Sequence, residues 1–310
     1  MNEISVDGIE WGSCVLFGAR PGVGKSLMKS QLVREAFNLN ADQRFRNLAF
    51  EWEMPLLMEN IRELAAYLNR SYQYMCSVKD GEEQLTDEEI IRCRDYFKSR
   101  VKKKDDVWDS RIDVVNIPLE VDEFENTCIA YADAYPEDNI LVTVDHIRLG
   151  KRKDFQSEQD MLYAYSAAVI RLKKMERKNK FIFIVLTHLR RDMDDPGRCK
   201  PGDVGNYVTD SDIQGGDAFT QASDIIMALD APFQRHISRY GTYKYIIEDE
   251  RILVVSYLKV RNGSKCVKFM RGLYESMQIV EARQPPKEEK IKLPKVNNTS
   301  KEIKKSNLFD

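Results

Sequence analysis

The chain predicts an α/β fold, a mainly parallel twisted sheet flanked by helices, and three observations carry that expectation. Short apolar runs alternate with longer amphipathic stretches along 310 residues, the rhythm of strands joined by crossover helices. Several runs, "FIFIVL" (181–186) above all, are apolar at every position, as strands covered on both faces must be. A glycine-rich segment, "GARPGVGKS" (18–26), lies where the first apolar run gives way to the first amphipathic stretch.

In chain order, "SCVLF" (13–17) is the first strand, and a helix over 25–39 starts where the glycines end. A second strand, "NLAFEW" (47–52), leads into a helix over 54–69. Strands at 112–117 and 140–145 flank a helix over 122–134, and a helix over 158–178 precedes the fifth strand at 181–187. The last two apolar runs, 224–229 and 252–259, add two more strands. Two segments break the rhythm. Residues 71–111 are strongly charged, and "TDEE" (86–89) is a capping box that starts a helix running into "KSRVKKK", so a helical insertion is expected there. Residues 190–216 have no apolar periodicity and much Gly, Pro and Asp, which marks a functional or disordered stretch. From Gln284 to the end, seven lysines face four acids among three prolines, and a disordered tail over 284–310 is expected. One domain, 1–283, remains.

Composition excludes several classes. The longest apolar runs are too short to cross a bilayer and "MNEISVDGIEW" is not a signal peptide, so a cytoplasmic location is expected. Six cysteines without C-x-x-C spacing and three histidines argue against a disulfide framework or structural zinc.

The glycine-rich segment fits the A-x-x-x-x-G-K-S form of the P-loop, counted from Ala19 to Ser26. A tight turn through Ala19, Arg20, Pro21, Gly22, Val23 and Gly24 presents backbone N–H groups to phosphate oxygens. Lys25 then neutralises the β and γ phosphates, Ser26 ligates Mg²⁺, and the helix that continues through Leu27 adds its positive end. ATP with Mg²⁺ is the expected ligand. Asp145, ending "ILVTVD", is the candidate second acid for the ion. Position 146 is a histidine, so a base that activates water must come from elsewhere. In "AFEWEMP" (49–55), Glu51 and Glu53 share one face of a strand and the pattern does not separate them; proximity to the strand's carboxyl end favours Glu53.

Six stretches, "GARPGVGKS", "FEWEMP", "VTVDHIRL", "LTHLRR", "SDIQGGDAFTQASDIIMALD" and "LKVRNGSK", together resemble in order and spacing the RecA-like motor domain of DnaB-type replicative helicases. The resemblance spans nearly residues 10–280. It implies a RecA-like fold, Lys25 and Ser26 as Walker A residues, Asp145 as the Walker B acid and Glu53 as catalytic base. It puts His188 where the family has a γ-phosphate-sensing glutamine. It also implies that Lys259 and Arg261 reach the ATP of the next protomer, which makes the assembly a homohexameric ring. The opposing reading of "KVRNGSK" is a solvated hairpin with Asn262-Gly263 as its turn.

By the same resemblance, Arg190, Arg191 and the backbone of Gln214, Gly215 and Gly216 follow single-stranded DNA, with Arg198 and Lys200 between them, although Gln214-Gly215 replaces the family's usual Arg-Glu pair. Translocation is expected to run 5′ to 3′. The family's N-terminal collar has no counterpart in these residues, so the resemblance implies assembly without it or with other proteins, a primase or helicase loader among them. A compact motor of this kind would suit a virus or mobile element, which would place it in a host cytoplasm. The competing readings are a recombination ATPase that forms filaments and a nucleotide-switched scaffold or loader subunit.

Overall fold

The strand that leads into the glycine-rich segment lies in the middle of the sheet, and every residue of it is buried. A computed structural model describes residues 8–77, 83–99, 101–104, 107–152, 155–242 and 244–284. In chain order its elements are β1 (Cys14–Ala19), α1 (Lys25–Leu39), β2 (Phe45–Glu51), α2 (Leu56–Leu68), α3 (Tyr72–Cys76), α4 (Asp87–Ser99), β3 (Val101–Lys104), β4 (Val107–Ser110), β5 (Ile112–Val115), α5 (Val121–Ala134), β6 (Asn139–Asp145), α6 (Glu158–Lys174), β7 (Phe181–His188), α7 (Gly216–Ala222), β8 (Ile225–Asp230), β9 (Arg239–Tyr240), β10 (Tyr245–Ile246), β11 (Ile252–Val260), β12 (Cys266–Leu273) and β13 (Gln278–Glu281).

The central sheet has the order β13-β12-β11-β8-β1-β7-β6-β2-β5. From β8 to β5 all neighbours are parallel, whereas β11, β12 and β13 run antiparallel. The sequence-predicted strands and helices are all present, with ends displaced by a few residues. The apolar pattern does not predict β12 and β13. "CVKFMRGL" carries Lys268 and Arg271 among its apolar residues and is only partly buried, so it lacks the unbroken apolar run that marks a central strand.

Two cores lie on the two faces of the sheet. On one, Phe124 of α5, Tyr165 and Val169 of α6 and Phe219 of α7 pack on Phe50, Val144 and Val185. On the other, Met28, Val33 and Phe37 of α1 pack on Phe17, Ile184 and Leu229. Deleting a ring such as Phe124 at the centre of the first core would cost roughly 3–5 kcal/mol.

The charged insertion is helical only in part. Thr86 caps α4 as expected: its Oγ1 accepts from Glu89 N–H (3.2 Å) and Glu89 accepts from Thr86 N–H (3.1 Å). The helix stops at Ser99, however, and Val101–Lys104 pairs antiparallel with Val107–Ser110. Lys102, Lys103 and Lys104 of the basic run therefore lie on a hairpin strand, and the hairpin's second strand leads directly into edge strand β5. The insertion is fastened to α2 by Tyr96 on Tyr67, ring centroids 4.3 Å apart.

The 190–216 stretch is ordered without apolar periodicity because buried polar groups hold it. Arg235 donates to Met193 and Asn206 carbonyls and to Asp230, and fully buried Asn206 donates to the Arg198 and Lys200 carbonyls. Arg198 pairs with both carboxylate oxygens of Asp212 at 2.6 and 2.9 Å. Burial works against the charge on Asp212, but Arg198 and the Thr209 N–H and hydroxyl outweigh it and hold this carboxyl below its ordinary value. The pair's stabilisation is thus present above the ordinary carboxylate range and is lost as pH falls through the lowered value. Asp212→Asn is expected to cost roughly 2 kcal/mol of local stability, seen as faster proteolysis within 190–216 at neutral pH. The tail expected from Gln284 onward lies outside the described residues except for Gln284 itself, whose amide bonds both backbone groups of Phe269.

Candidate active site

The carboxyl ends of β1, β7, β6 and β2, four neighbours in the sheet, deliver the candidate site residues to one edge. Ligands bind at such edges in open α/β sheets because the strand order reverses there and leaves a crevice. After β1 the chain turns through Gly22 (φ 79°) and Gly24 (φ 107°) into α1. Nothing lies within 4 Å of a Cβ built on Gly22. Glycine is needed at both positions for the left-handed backbone, not for want of space.

Lys25 is buried at the first position of α1, with Nζ 3.2 Å from Asp145 Oδ1 and 3.3 Å from Glu53 Oε2. One helical turn on, and on the same face, Lys29 Nζ lies 2.6 Å from both Glu51 oxygens, 2.8 Å from Glu59 Oε1 and 3.5 Å from Asp145 Oδ2. Burial alone would discharge Lys29; Glu51, Asp145 and Glu59 outweigh it and raise its pKa. Burial opposes the charge on Asp145 too, yet Lys29, Lys25 and the Ser26 hydroxyl bring it down to about 2. Glu51 is pushed up to about 7 by burial against the pull of Lys29.

This geometry separates the two acids that the strand pattern left equal. Glu51 is buried and bound to Lys29, whereas Glu53 is 43% exposed at the mouth of the site. Four carboxylates (Glu51, Glu53, Glu59, Asp145) share two ammonium groups, and the Ser26 hydroxyl meets the Asp145 carboxylate. Hard oxygen donors and an excess of negative charge fit Mg²⁺, which takes one or two protein oxygens and completes its shell with water and phosphate. Ser26 and Asp145 would hold it; the ion's chemistry is to neutralise charge on the transferring phosphate.

His188 ends β7 beside Ala19 and packs against His146, ring centroids 4.3 Å apart and planes tilted by 48°. Burial and the Lys25 charge lower both imidazole pKa values, that of His146 to about 3. Beyond His188, Gln214 is tied to the site three times. Its N–H donates to His188 O (2.9 Å), its carbonyl accepts from Thr187 Oγ1 (2.9 Å), and its side-chain oxygen accepts from Arg148 Nη1 (2.6 Å). Gly215 adopts a left-handed backbone (φ 71°), and a Cβ there would come within 2.4 Å of the Leu162 side-chain tip and force it to shift. Gly216 opens α7.

Arg190 and Arg191 are exposed and line one cleft with Arg20, Arg148, His188, Gln214 and Gly215. Arg198 does not join them: its guanidinium is occupied by Asp212 and the Gly205 and Tyr207 carbonyls. Lys200 is exposed, and its carbonyl accepts from Asn206.

Lys259 and Arg261 lie at the opposite end of the sheet. β11 runs antiparallel to β8, its register shifts between Tyr257 and Lys259, and Val260 pairs with Ile225 at the start of β8. Lys259 Nζ donates to Thr220 O (2.7 Å), and Arg261, 68% exposed, pairs with Asp224 (2.6 Å). Ala19 is level with Leu229, so about five residues of strand, roughly 17 Å, separate Arg261 from its own P-loop. Neither Asn262 nor Gly263 has a positive φ, and pairing of β11 with β12 stops at Tyr257–Cys266, so the two strands are joined by a longer loop and not by the tight Asn-Gly turn of the opposing reading.

A family model described as "DnaB-like helicase C terminal domain" matches residues 3–271. The chain belongs to that family. DnaB-like helicases are ATP-dependent helicases of DNA replication, and nucleotide and Mg²⁺ use follow from membership. Among solved structures, one described as an "ATPase Domain" superposes with a TM-score of 0.71 at 17% identity, covering 90% of this chain and 88% of that one. "The Structure Of A DnaB-Like Replicative Helicase And Its Interactions With Primase" superposes with a TM-score of 0.67 at 18% identity, covering 88% of this chain and 60% of that one. Both likenesses show the RecA-like fold. No curated protein matches. No described helix of this DnaB-like chain is long and apolar enough to cross a membrane.

Sequence reasoning passed over Lys29 and Arg148. Lys29 carried a signal, four residues after Lys25 on the same helix. Arg148 carried none, because its partners Glu158 and Gln214 are brought to it only by the fold.

Proposed function

We propose that the chain is the motor of a ring helicase that hydrolyses ATP, translocates on single-stranded DNA from 5′ to 3′ and unwinds duplex at a replication fork. Residues 1–283 form the motor, with 71–111 inserted at its edge, and a primase or loader is its expected partner. Lys25, Ser26 and Asp145 bind nucleotide and Mg²⁺, Glu53 activates water, and His188 donates to the γ-phosphate. The observation that carries this reading is the bonding of Gln214 to His188, Thr187 and Arg148, which joins the phosphate end of the site to the loop bearing Arg190 and Arg191. A hydrolysis cycle that moves His188 therefore moves backbone that can track phosphates. The distance of Arg261 from its own P-loop supports a neighbour's site as its target, and repeated head-to-tail contacts of that kind close a ring.

Strand displacement from forked duplexes, one with a 5′ tail and one with a 3′ tail, tests the reading together with sedimentation of the DNA-bound protein. Displacement from the 5′ tail by a six-subunit particle is expected. Filaments, or no displacement from either fork, would remove the proposal. Arg148→Ala is expected to lower DNA stimulation of hydrolysis by roughly 2- to 30-fold, the range of typical coupling energies, and to change basal hydrolysis less. Rates measured with and without DNA check this.

A further inference from the structure

Two of the chain's three histidines meet in one place. His146 and His188 come from the ends of adjacent strands β6 and β7, and Glu53 faces them from the end of β2. His146 Nε2 lies 3.8 Å from Glu53 Oε2. One ligand atom from each of the three residues lies within 4.8 Å of the others. His146 is 6% exposed, so a ligand held against it is shielded from bulk water. The two rings are tilted by 48° and not stacked face to face, and Nε2 is the nitrogen of His146 that faces Glu53.

We propose that Glu53, His146 and His188 bind one divalent cation of the Zn²⁺ class in the nucleotide-free chain, and that its presence blocks hydrolysis. Two imidazoles and one carboxylate suit Zn²⁺, Co²⁺ or Ni²⁺, whereas Mg²⁺ prefers oxygen alone. Bonds of about 2.1 Å at tetrahedral angles put ligand atoms about 3.4 Å apart, so the Glu53–His146 pair needs to close by about 0.4 Å and the other pairs by at most about 1.4 Å. Three protein ligands leave a fourth position for water. Lys25 must release Glu53 for the ion to enter, and it keeps Asp145 at 3.2 Å as its partner. The binding claim stands on these three side chains; the block on hydrolysis rests on the reading of Glu53 as the base and His188 as the phosphate sensor.

The test is a titration of metal-free full-length chain with Co²⁺, followed by its visible ligand-field bands, in excess Mg²⁺ and without nucleotide. One Co²⁺ per chain, displaced by Zn²⁺, is expected, with binding weakened at least tenfold by each of His146→Gln, His188→Gln and Glu53→Gln, and not by His236→Gln. Glu53 is half-exposed, so Glu53→Gln keeps the test valid if a histidine variant fails to fold. Zn²⁺ should inhibit Mg²⁺–ATP hydrolysis over the range in which it displaces Co²⁺, and a chelator should reverse the effect. No visible bands, a thiolate charge-transfer band from a cysteine site, or binding that survives the three variants would overturn the proposal. Normal hydrolysis without Co²⁺ binding would remove this site and leave the helicase standing. Normal Co²⁺ binding without hydrolysis would do the reverse.

Discussion

Arg261→Ala is expected to lower ATP hydrolysis by about 10³-fold or more, the scale of an arginine that neutralises transition-state charge in phosphoryl transfer. The loss should not be structural, because the side chain is largely exposed and its ion-pair partner Asp224 is also held by Lys173. Lys25→Ala should be equally inactive for a different reason, having lost the phosphate-binding ammonium. An equal mixture of the two variants should regain activity, since some interfaces then join an intact P-loop to an intact Arg261. Colorimetric phosphate release checks all three samples. If Arg261→Ala hydrolyses normally, the finger in trans is wrong.

Glu53→Gln is expected to reduce kcat by about 10²–10⁴-fold, the contribution of a positioned general base, while nucleotide still binds. Its Lys25 contact at 3.3 Å is partly exposed, so little stability should be lost. Glu51→Gln should behave differently. It leaves Lys29 buried with one fewer carboxylate and is expected to cost roughly 1–3 kcal/mol of stability, read as a lower denaturation midpoint. Single-turnover hydrolysis, a nucleotide-binding titration and denaturant unfolding of both variants separate the roles. A Glu51→Gln variant that folds normally and loses hydrolysis, beside an active Glu53→Gln, would exchange the two assignments.

What the residues disclosed beforehand follows from where each signal resides. The P-loop was legible because its glycines, lysine and serine are contiguous, and the central strands were legible because two-sided burial leaves unbroken apolar runs such as "FIFIVL". The choice between Glu51 and Glu53 rested on proximity to the strand's carboxyl end alone, since period-two alternation puts both on one side. β2 ends at Glu51, and it is Lys29, reaching across from α1, that binds Glu51 and leaves Glu53 at the mouth. Residues 190–216 gave no periodic signal because Arg235, Asn206 and the Arg198–Asp212 pair hold them through polar contacts. Those contacts also remove Arg198 from the candidate DNA surface. β12 and β13 were hidden by the charges of a partly buried strand and by the brevity of an edge strand. The convergence of His146 with His188 could not be read at all, as adjacency of β6 and β7 is a property of the sheet order.

The measurement that bears most directly on the motor reading is the steady-state ATP hydrolysis rate of the unmodified chain with and without single-stranded DNA. Because Gln214 joins the candidate DNA loop to His188 and Arg148, DNA is expected to raise the rate severalfold, and to do so less in Arg148→Ala. A rate that is measurable but indifferent to DNA would contradict that coupling and leave a nucleotide switch in place of a motor.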